Sequence, residues 1–292
     1  MRSPAEIADV IVHALPYIRR FAGKVVVVKL GGAAMTDPEL NRYFAEDILL
    51  MRSVGLRPVV VHGGGPQIGA LMEKLGKTPV FKQGQRVTDA ETLDIARMVL
   101  VGKINRDIVS AINREDPVAV GLSGEDAGLI TAEPRHADLG YVGDVAGVNP
   151  DIVVKLLNEG LVPVISTIGS SLTGQAYNIN ADAAAGAVAA ALGAEKIIYL
   201  TGAPGLLEDP ADPETLISRL SPAELRARLA SGAIEGGMIP KLQACSDAVD
   251  AGVGSAHILD GRTPHVVLIE LFTDEGIGTM VGAEARLAEM AA

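Results

Sequence analysis

Tryptophan is absent from the 292-residue chain, aromatic residues make up 3 % of it, and cysteine occurs once, at Cys245. A single thiol excludes an intramolecular disulfide and a cysteine-based zinc cluster, so Cys245 reads as a small buried apolar residue. Positive charge is scarce: 25 Lys plus Arg stand against 36 Asp plus Glu, a net charge of −11. That balance leaves no general basic surface to neutralise a nucleic-acid backbone or an anionic membrane. Long apolar runs are missing too. The longest uncharged stretch, residues 160–181, is interrupted by Ser, Thr, Gln and Asn, and the amino terminus carries Glu6 and Asp9 where a signal peptide is apolar. The chain reads as soluble and cytoplasmic, with neither nucleic acid nor membrane as a partner. If its ligands are anions, a few cations must be concentrated in a cleft against the bulk charge.

Present in quantity are aliphatic residues and glycine, with hydrophobic residues at 48 % and 33 Gly. At this length roughly 75 % of the unfolded surface can be buried, and the aliphatic, glycine-rich balance favours a mostly parallel α/β sheet. The sequence "SPAE" at Ser3–Glu6 carries a capping-box pattern with Pro4 at the first helical position, predicting a helix over residues 3–21. Ile7, Val10, Ile11, Ala14, Leu15 and Ile18 form one apolar stripe on it. The stripe suits either packing on its own domain or burial against a neighbouring subunit, and Pro16 would bend the helix. Strands are expected at Val25–Leu30, Pro58–His62, "PVAVGL", "LVPVIS", "KIIYLT" and "AHILD". Helices are expected after "TDPE" (to about Gly55), "GGGPQI", "TDAE" (to about Asn113), Asn149-Pro150, "NADAAAGAVAAAL", a second "SPAE" at Ser221 and "GGMIPK", with a loop or hairpin around Gly140 and Gly143. Alternating apolar runs and helices imply a parallel sheet covered on both faces. No repeat or low-complexity linker divides the chain.

Two familiar phosphate-binding signatures are missing. "LGKT" has Leu71 where the Walker pattern requires its first glycine, and no G-x-G-x-x-G turn follows a strand. Instead three strands run into glycine: Lys29-Leu30-Gly31-Gly32, His62-Gly63-Gly64-Gly65 and Thr201-Gly202-Ala203-Pro204-Gly205. Loops at the carboxyl ends of parallel strands form the ligand crevice of such folds, and glycine lets backbone N–H groups approach an anion.

The segments "VVVVKLGGAAM", "VVVHGGGPQI", "GQRVTDAE", "YNINADAAAG" and "GGMIPK", in this order, resemble the amino-acid kinase superfamily and within it the N-acetyl-L-glutamate kinase family, over about residues 24–281. The preceding helix resembles that of arginine-inhibited, hexameric members, trimers of dimers in which it swaps between dimers. The resemblance implies a three-layer αβα sandwich in one domain of residues 1–292: an oligomerisation helix (1–23), an acyl-amino-acid lobe (24–175) and an ATP lobe (176–292). It implies ATP-dependent phosphorylation of the side-chain carboxylate of N-acetylglutamate. That nucleophile is already ionised at neutral pH, so the obstacle is the meeting of two anions, and positioned positive charge is what the chemistry needs.

Residue by residue, the resemblance assigns Lys29 and Lys241 to the transferring phosphoryl group and Asp182 to orienting both lysines. As a first-turn acid Asp182 also suits a helix dipole. Gly64, Gly65, Arg86 and Asn178 match acceptor contacts, Arg86 as a bidentate carboxylate clamp. Gly31, Gly32, Gly202, Gly205, Leu207, Gly236, Gly237 and Met238 match phosphate or ATP contacts. Mg2+ is expected on the phosphates with few protein ligands, in line with the lack of a carboxylate cluster. Inhibitory arginine would bind between the first helix, near Tyr17, and the carboxyl segment "ELFTDEGIGTM", with Glu270 and Gly276 as its candidate contacts. His62 has no proton to remove in this reaction and reads as structural. Two positions depart from the pattern: Ala33, usually Asn, and Gly202, usually Asp, the latter implying weaker ATP binding or a shifted nucleotide preference. The alternatives are a kinase for an aminoadipate-type acceptor and a catalytically weakened arginine-binding regulatory subunit.

Overall fold

A computed structural model describes residues 3–82, 84–232, 234, 236–273 and 276–283. The first helix, α1 (Pro4–Phe21), begins at the expected capping box: Glu6 N–H donates to Ser3 Oγ, and Ser3 N–H to the Glu6 carboxylate at 2.6 Å. It runs unbroken through Pro16. In α2 (Pro38–Ser53) and α4 (Ala90–Arg97) the cap is the aspartate of each "TD" pair rather than the threonine. Asp37 accepts from Glu39 and Leu40 N–H, and Asp89 from Thr92 N–H. Thr88, freed from capping, is buried and bridges to Gly140.

Among the described residues the central sheet has eight strands. In spatial order they are β12 (Arg219–Leu220), β14 (Thr279–Gly282), β13 (Ser255–Asp260), β11 (Lys196–Thr201), β1 (Val25–Leu30), β2 (Arg57–His62), β8 (Val162–Ser166) and β5 (Ala119–Ser123). All neighbours are parallel except β13 and β14. The valine run explains the layering. Val26 and Val28 of β1 pack into one core with Phe44, Ile48, Met51 and Ile108, whereas Val27 packs into another with Val188, Leu242 and Cys245. Successive strand residues face opposite sides, so a strand covered by helices on both faces must be apolar throughout. The first core holds α2 and α5 (Asn105–Asn113); the second holds α6 (Asp151–Asn158), α7 (Ala181–Ala191) and α9 (Met238–Asp250). The result is a three-layer αβα sandwich, and Cys245 is fully buried in it.

Three features were not legible in the sequence. Residues 81–86 form a short hairpin, β3 (Phe81–Lys82) and β4 (Gln85–Arg86). The loop or hairpin expected around Gly140 and Gly143 is a hairpin, the antiparallel pair β6 (Ile130–Pro134) and β7 (Val142–Val148), but its closure into a four-stranded sheet with β9 (Ile168–Ser170) and β10 (Ala176–Ile179) was not foreseen. Between α4 and α5 the helix widens to π geometry over Met98–Ile104. The remaining α-helices among the described residues are α3 (Gly65–Lys74), α8 (Pro222–Ala230) and α10 (Val266–Phe272). Among the described residues no helix is long and apolar enough to cross a membrane.

Candidate active site

The carboxyl ends of β1 and β2 meet the amino end of α7 at a cleft of about 300 Å³. It is lined by Lys29, Gly31, Gly32, Gly64, Gly65, Arg86, Asn178 and Asp182, gathered from segments more than 150 residues apart in the chain. Lys29 reaches it as the fifth residue of a buried strand paired on both sides, in register with Val61 and Tyr199. Its side chain is only 9 % exposed, and Nζ lies 2.8 Å from Asp182 Oδ1. On the other carboxylate oxygen, Lys241 Nζ from α9 donates to Oδ2 at 3.1 Å. The Asp182 side chain is 7 % exposed. Burial would raise its pKa, but the two ammonium charges and their hydrogen bonds outweigh burial and hold it below the ordinary range. Asn180, the cap of α7, fixes the acid further by accepting from the N–H of Asp182 and Ala183. A single carboxylate thus spaces two cations that would otherwise repel.

At two glycines an added side chain would force a neighbour to move. A Cβ on Gly31 would stand 2.6 Å from Lys29 Nζ, and one on Gly64 would stand 2.3 Å from Ile104 Cδ1 and 2.7 Å from Leu100 Cδ2, both in the π segment. The wall beyond the loop carries the guanidinium of Arg86, which donates to Gly65 O at 2.8 Å and to Met72 Sδ, with its charge 4.8 Å from the Phe81 ring centroid. Burial lowers its pKa from the ordinary arginine value. Asn178 Nδ2 donates to Thr88 Oγ1 at 3.4 Å. Gln85, Arg135, Thr167 and Met35 also line the cleft and were missed by sequence reasoning. Arg135 follows a short strand of the closed sheet, and nothing in the local sequence distinguishes it from a surface arginine.

The remaining sequence candidates lie outside this lining. Gly202 adjoins Gly32, whose added Cβ would be 3.6 Å from Gly202 N, and a Cβ on Gly202 itself meets nothing within 4 Å. The loop holding Gly205 and Leu207 is tied to β14 by Leu206 N–H donating to Thr279 Oγ1 at 2.8 Å, and Leu207 bridges to Leu216. Gly236 and Gly237 are exposed and lead into Met238, the first residue of α9, three residues before Lys241. His62 is fully buried, as a structural histidine should be, and burial pulls its pKa down to about 4.

A second cavity, about 550 Å³, is lined by Tyr17, Glu270 and Gly276 together with Arg20, Lys196 and His257. Glu270 Oε1 is 2.8 Å from Lys196 Nζ and 2.9 Å from His257 Nδ1. Burial works against the Glu270 charge, and these two partners nonetheless hold its pKa at about 2. Asp274 and Glu275 of the same segment lie outside the described residues.

Residues 24–260 match the model of the Amino acid kinase family. This chain belongs to the amino acid kinase family. Among curated members it is 50% identical to an acetylglutamate kinase of Pelotomaculum thermopropionicum, covering 96% of this chain and 99% of that protein. It is 52% identical to another of Symbiobacterium thermophilum (94% and 97%) and 52% to one of Nostoc sp. (94% and 92%). Among solved structures, N-acetylglutamate synthase of Neisseria gonorrhoeae, complexed with coenzyme A and N-acetyl-glutamate, has a TM-score of 0.83 at 28% identity; the match covers 95% of this chain and spans 63% of the synthase chain. Carbamate kinase of Giardia lamblia shares the fold at TM-score 0.67 and 18% identity, covering 90% and 100% of the two chains. The chain is an ATP-dependent kinase of the amino acid kinase family.

Proposed function

We propose that the protein transfers the γ-phosphoryl group of ATP to the side-chain carboxylate of N-acetyl-L-glutamate, giving N-acetyl-L-glutamyl 5-phosphate and ADP in arginine biosynthesis. The observation that carries this reading is the Lys29–Asp182–Lys241 set at one end of a glycine-lined cleft. The named kinases about half identical to the chain over nearly all of it support the same acceptor.

A carboxylate oxygen of the acceptor attacks the γ-phosphorus, the bond to the β,γ-bridging oxygen breaks, and ADP departs with that electron pair. The nucleophile is ionised at neutral pH, so no general base is required. Negative charge spreads over the transferring oxygens, and Lys29 and Lys241 would meet it with fixed positive charge. Asp182 keeps the ammonium groups apart and aimed. The N–H groups of Gly31, Gly32, Gly64 and Gly65 add fixed donors, and Arg86 with Asn178 holds the acceptor. Residues 24–175 would then carry the acceptor, and residues 176–292 the nucleotide, with contacts from Gly202, Gly205, Leu207 and Gly236–Met238. Mg2+, held mainly by the ATP phosphates, would add charge neutralisation. Both oxygens of Asp182 already face ammonium groups, which suits an ion carried in by the nucleotide.

The second cavity suits arginine as a feedback inhibitor. Its carboxylate would face Arg20 or Lys196, and its guanidinium would face Glu270, with Tyr17 on α1 beside them. Residues 1–23 would serve assembly into a hexamer as a trimer of dimers.

An ATP-dependent hydroxamate assay tests the reading with N-acetylglutamate, free glutamate and N-acetylaminoadipate, each with and without arginine. Product from N-acetylglutamate in clear excess, suppressed by arginine, is expected. Absence of hydroxamate with every acceptor would sink the kinase assignment, and preference for N-acetylaminoadipate would move it to the longer acceptor.

A further inference from the structure

His62 takes part in no bond that forms or breaks, yet it is fully buried directly before the glycine loop and is held at both ring nitrogens. Nδ1 lies 3.0 Å from the carbonyl oxygen of Gly63, and Nε2 lies 3.2 Å from Nδ2 of the fully buried Asn105. The Asn105 amide decides which ring nitrogen carries the proton. Its Nδ2 also faces the carbonyl oxygens of Val164 at 2.8 Å and Leu122 at 3.3 Å, and its Oδ1 accepts from Arg106 Nη2. Nδ2 is therefore the donating end of the amide. A donor opposite Nε2 requires Nε2 to be bare, so the proton sits on Nδ1 and donates to Gly63 O. Burial, aided by the charges of Lys29 and Arg106, keeps the ring neutral down to about pH 4, so one tautomer persists across the working range.

The peptide between Gly63 and Gly64 is trans, and across a trans peptide the carbonyl and the following N–H point in opposite directions. Drawing the Gly63 oxygen towards the buried ring turns the Gly64 N–H the other way, and both glycines line the cleft. Among the described residues no backbone carbonyl takes that N–H. Accepting a hydrogen bond at the carbonyl also polarises the same peptide and strengthens its N–H as a donor.

We propose that His62, set by Asn105, is a positioning residue that aims the Gly64 N–H at an anionic oxygen of the reacting pair in the cleft. The proposal rests on the kinase reading, and its tests separate the two. Nitrogen-15 NMR of the intact protein between pH 6 and 8 is expected to report His62 as the Nδ1–H tautomer, with the Gly64 amide resonance shifting on addition of N-acetylglutamate with a non-hydrolysable ATP analogue. An Nε2–H tautomer, or a Gly64 amide that does not move, overturns the proposal whatever the turnover. His62→Gln keeps a group within reach of Asn105 and loses the donor to Gly63, whereas His62→Asn keeps that donor. Gln should lower kcat about 10- to 100-fold with KM for ATP little changed, and Asn should recover most of the rate. Equal losses in both variants, tracking their melting temperatures, would make His62 structural only and overturn the proposal. Failure of the wild-type enzyme to phosphorylate N-acetylglutamate would sink the kinase reading and leave the tautomer result standing.

Discussion

Asp182 is the residue on which the charge arrangement turns. An Asp182→Asn substitution keeps the shape and removes the carboxylate that both lysines face, so the buried Lys29 ammonium and the partly exposed Lys241 ammonium lose their shared counter-charge. The expected loss is at least about 100-fold in kcat, together with about 3 kcal/mol of stability from the unpaired charges. Steady-state kinetics and a urea titration of the same preparation measure both. A variant with near-normal kcat would remove Asp182 from the mechanism. Lys29, Asp182 and Lys241 were legible in the sequence because each sits in a distinctive motif at the end of a strand or the start of a helix. Arg135 was not. It reaches the cleft through a closed sheet whose strands, three to seven residues long, carry too little periodicity to announce themselves.

Among elements, the π segment Met98–Ile104 does most to shape the loop after β2. The capping signature "TDAE" predicts one long helix to about Asn113; what it hides is the widened turn that carries Leu100 and Ile104 against Gly64. Insertion of one residue's worth of slack leaves no signature in composition, and it becomes visible only through the partner it meets. Gly64→Ala is therefore expected to do more than an ordinary glycine substitution. Its methyl group would overlap Ile104 and Leu100, and relief requires shifting either the π segment or the loop. A destabilisation of about 1–3 kcal/mol is expected, along with a fall in kcat larger than any change in KM for ATP. Denaturant midpoints and kinetics check it, and a Gly64→Ala enzyme of normal stability and rate would show that the contact yields freely. Gly202, by contrast, has open space at its Cβ position, with nothing within 4 Å.

For the molecule as a whole, two buried groups set opposing pH dependences. His62 titrates at about 4 instead of its ordinary 6.5 because burial penalises its charge. Between those values the unfolded chain binds the extra proton, so stability from this group falls as pH drops. Asp47 is raised from 3.8 to about 6 by burial, against the pull of His265, whose Nδ1 lies 2.6 Å away. Here the folded chain holds the extra proton, so the contribution is complete below the unfolded value and is lost as pH rises through 6. Each amounts to about 3 kcal/mol over its window, and over pH 4–6 they largely cancel. Asp47→Asn removes one side of the balance, and its stability should rise with pH across that range more steeply than that of the parent. Urea midpoints at pH 4.5 and 6.5 measure the difference; parallel slopes would contradict the assignment.

The same scale holds the question of assembly. Val10, Ile11, Val12 and Leu15 of α1 are 40–64 % exposed, and α1 touches the rest of the chain chiefly at α10. Deleting residues 1–22 is expected to lower the mass in solution, by light scattering, from a hexamer to a dimer; an unchanged mass would refute a linking role for the helix.

Ionic strength reaches these interactions unequally. Exposed pairs such as Arg42–Glu46 and Lys103–Asp107 lie where mobile ions screen them. The contact between Lys29 and Asp182 sits at under 10 % exposure on both sides and is largely withheld from that screening. Raising the salt concentration should thus erode what the acidic exterior contributes while the arrangement of charges in the cleft persists, which makes the chemical step less sensitive to salt than the stability of the fold around it.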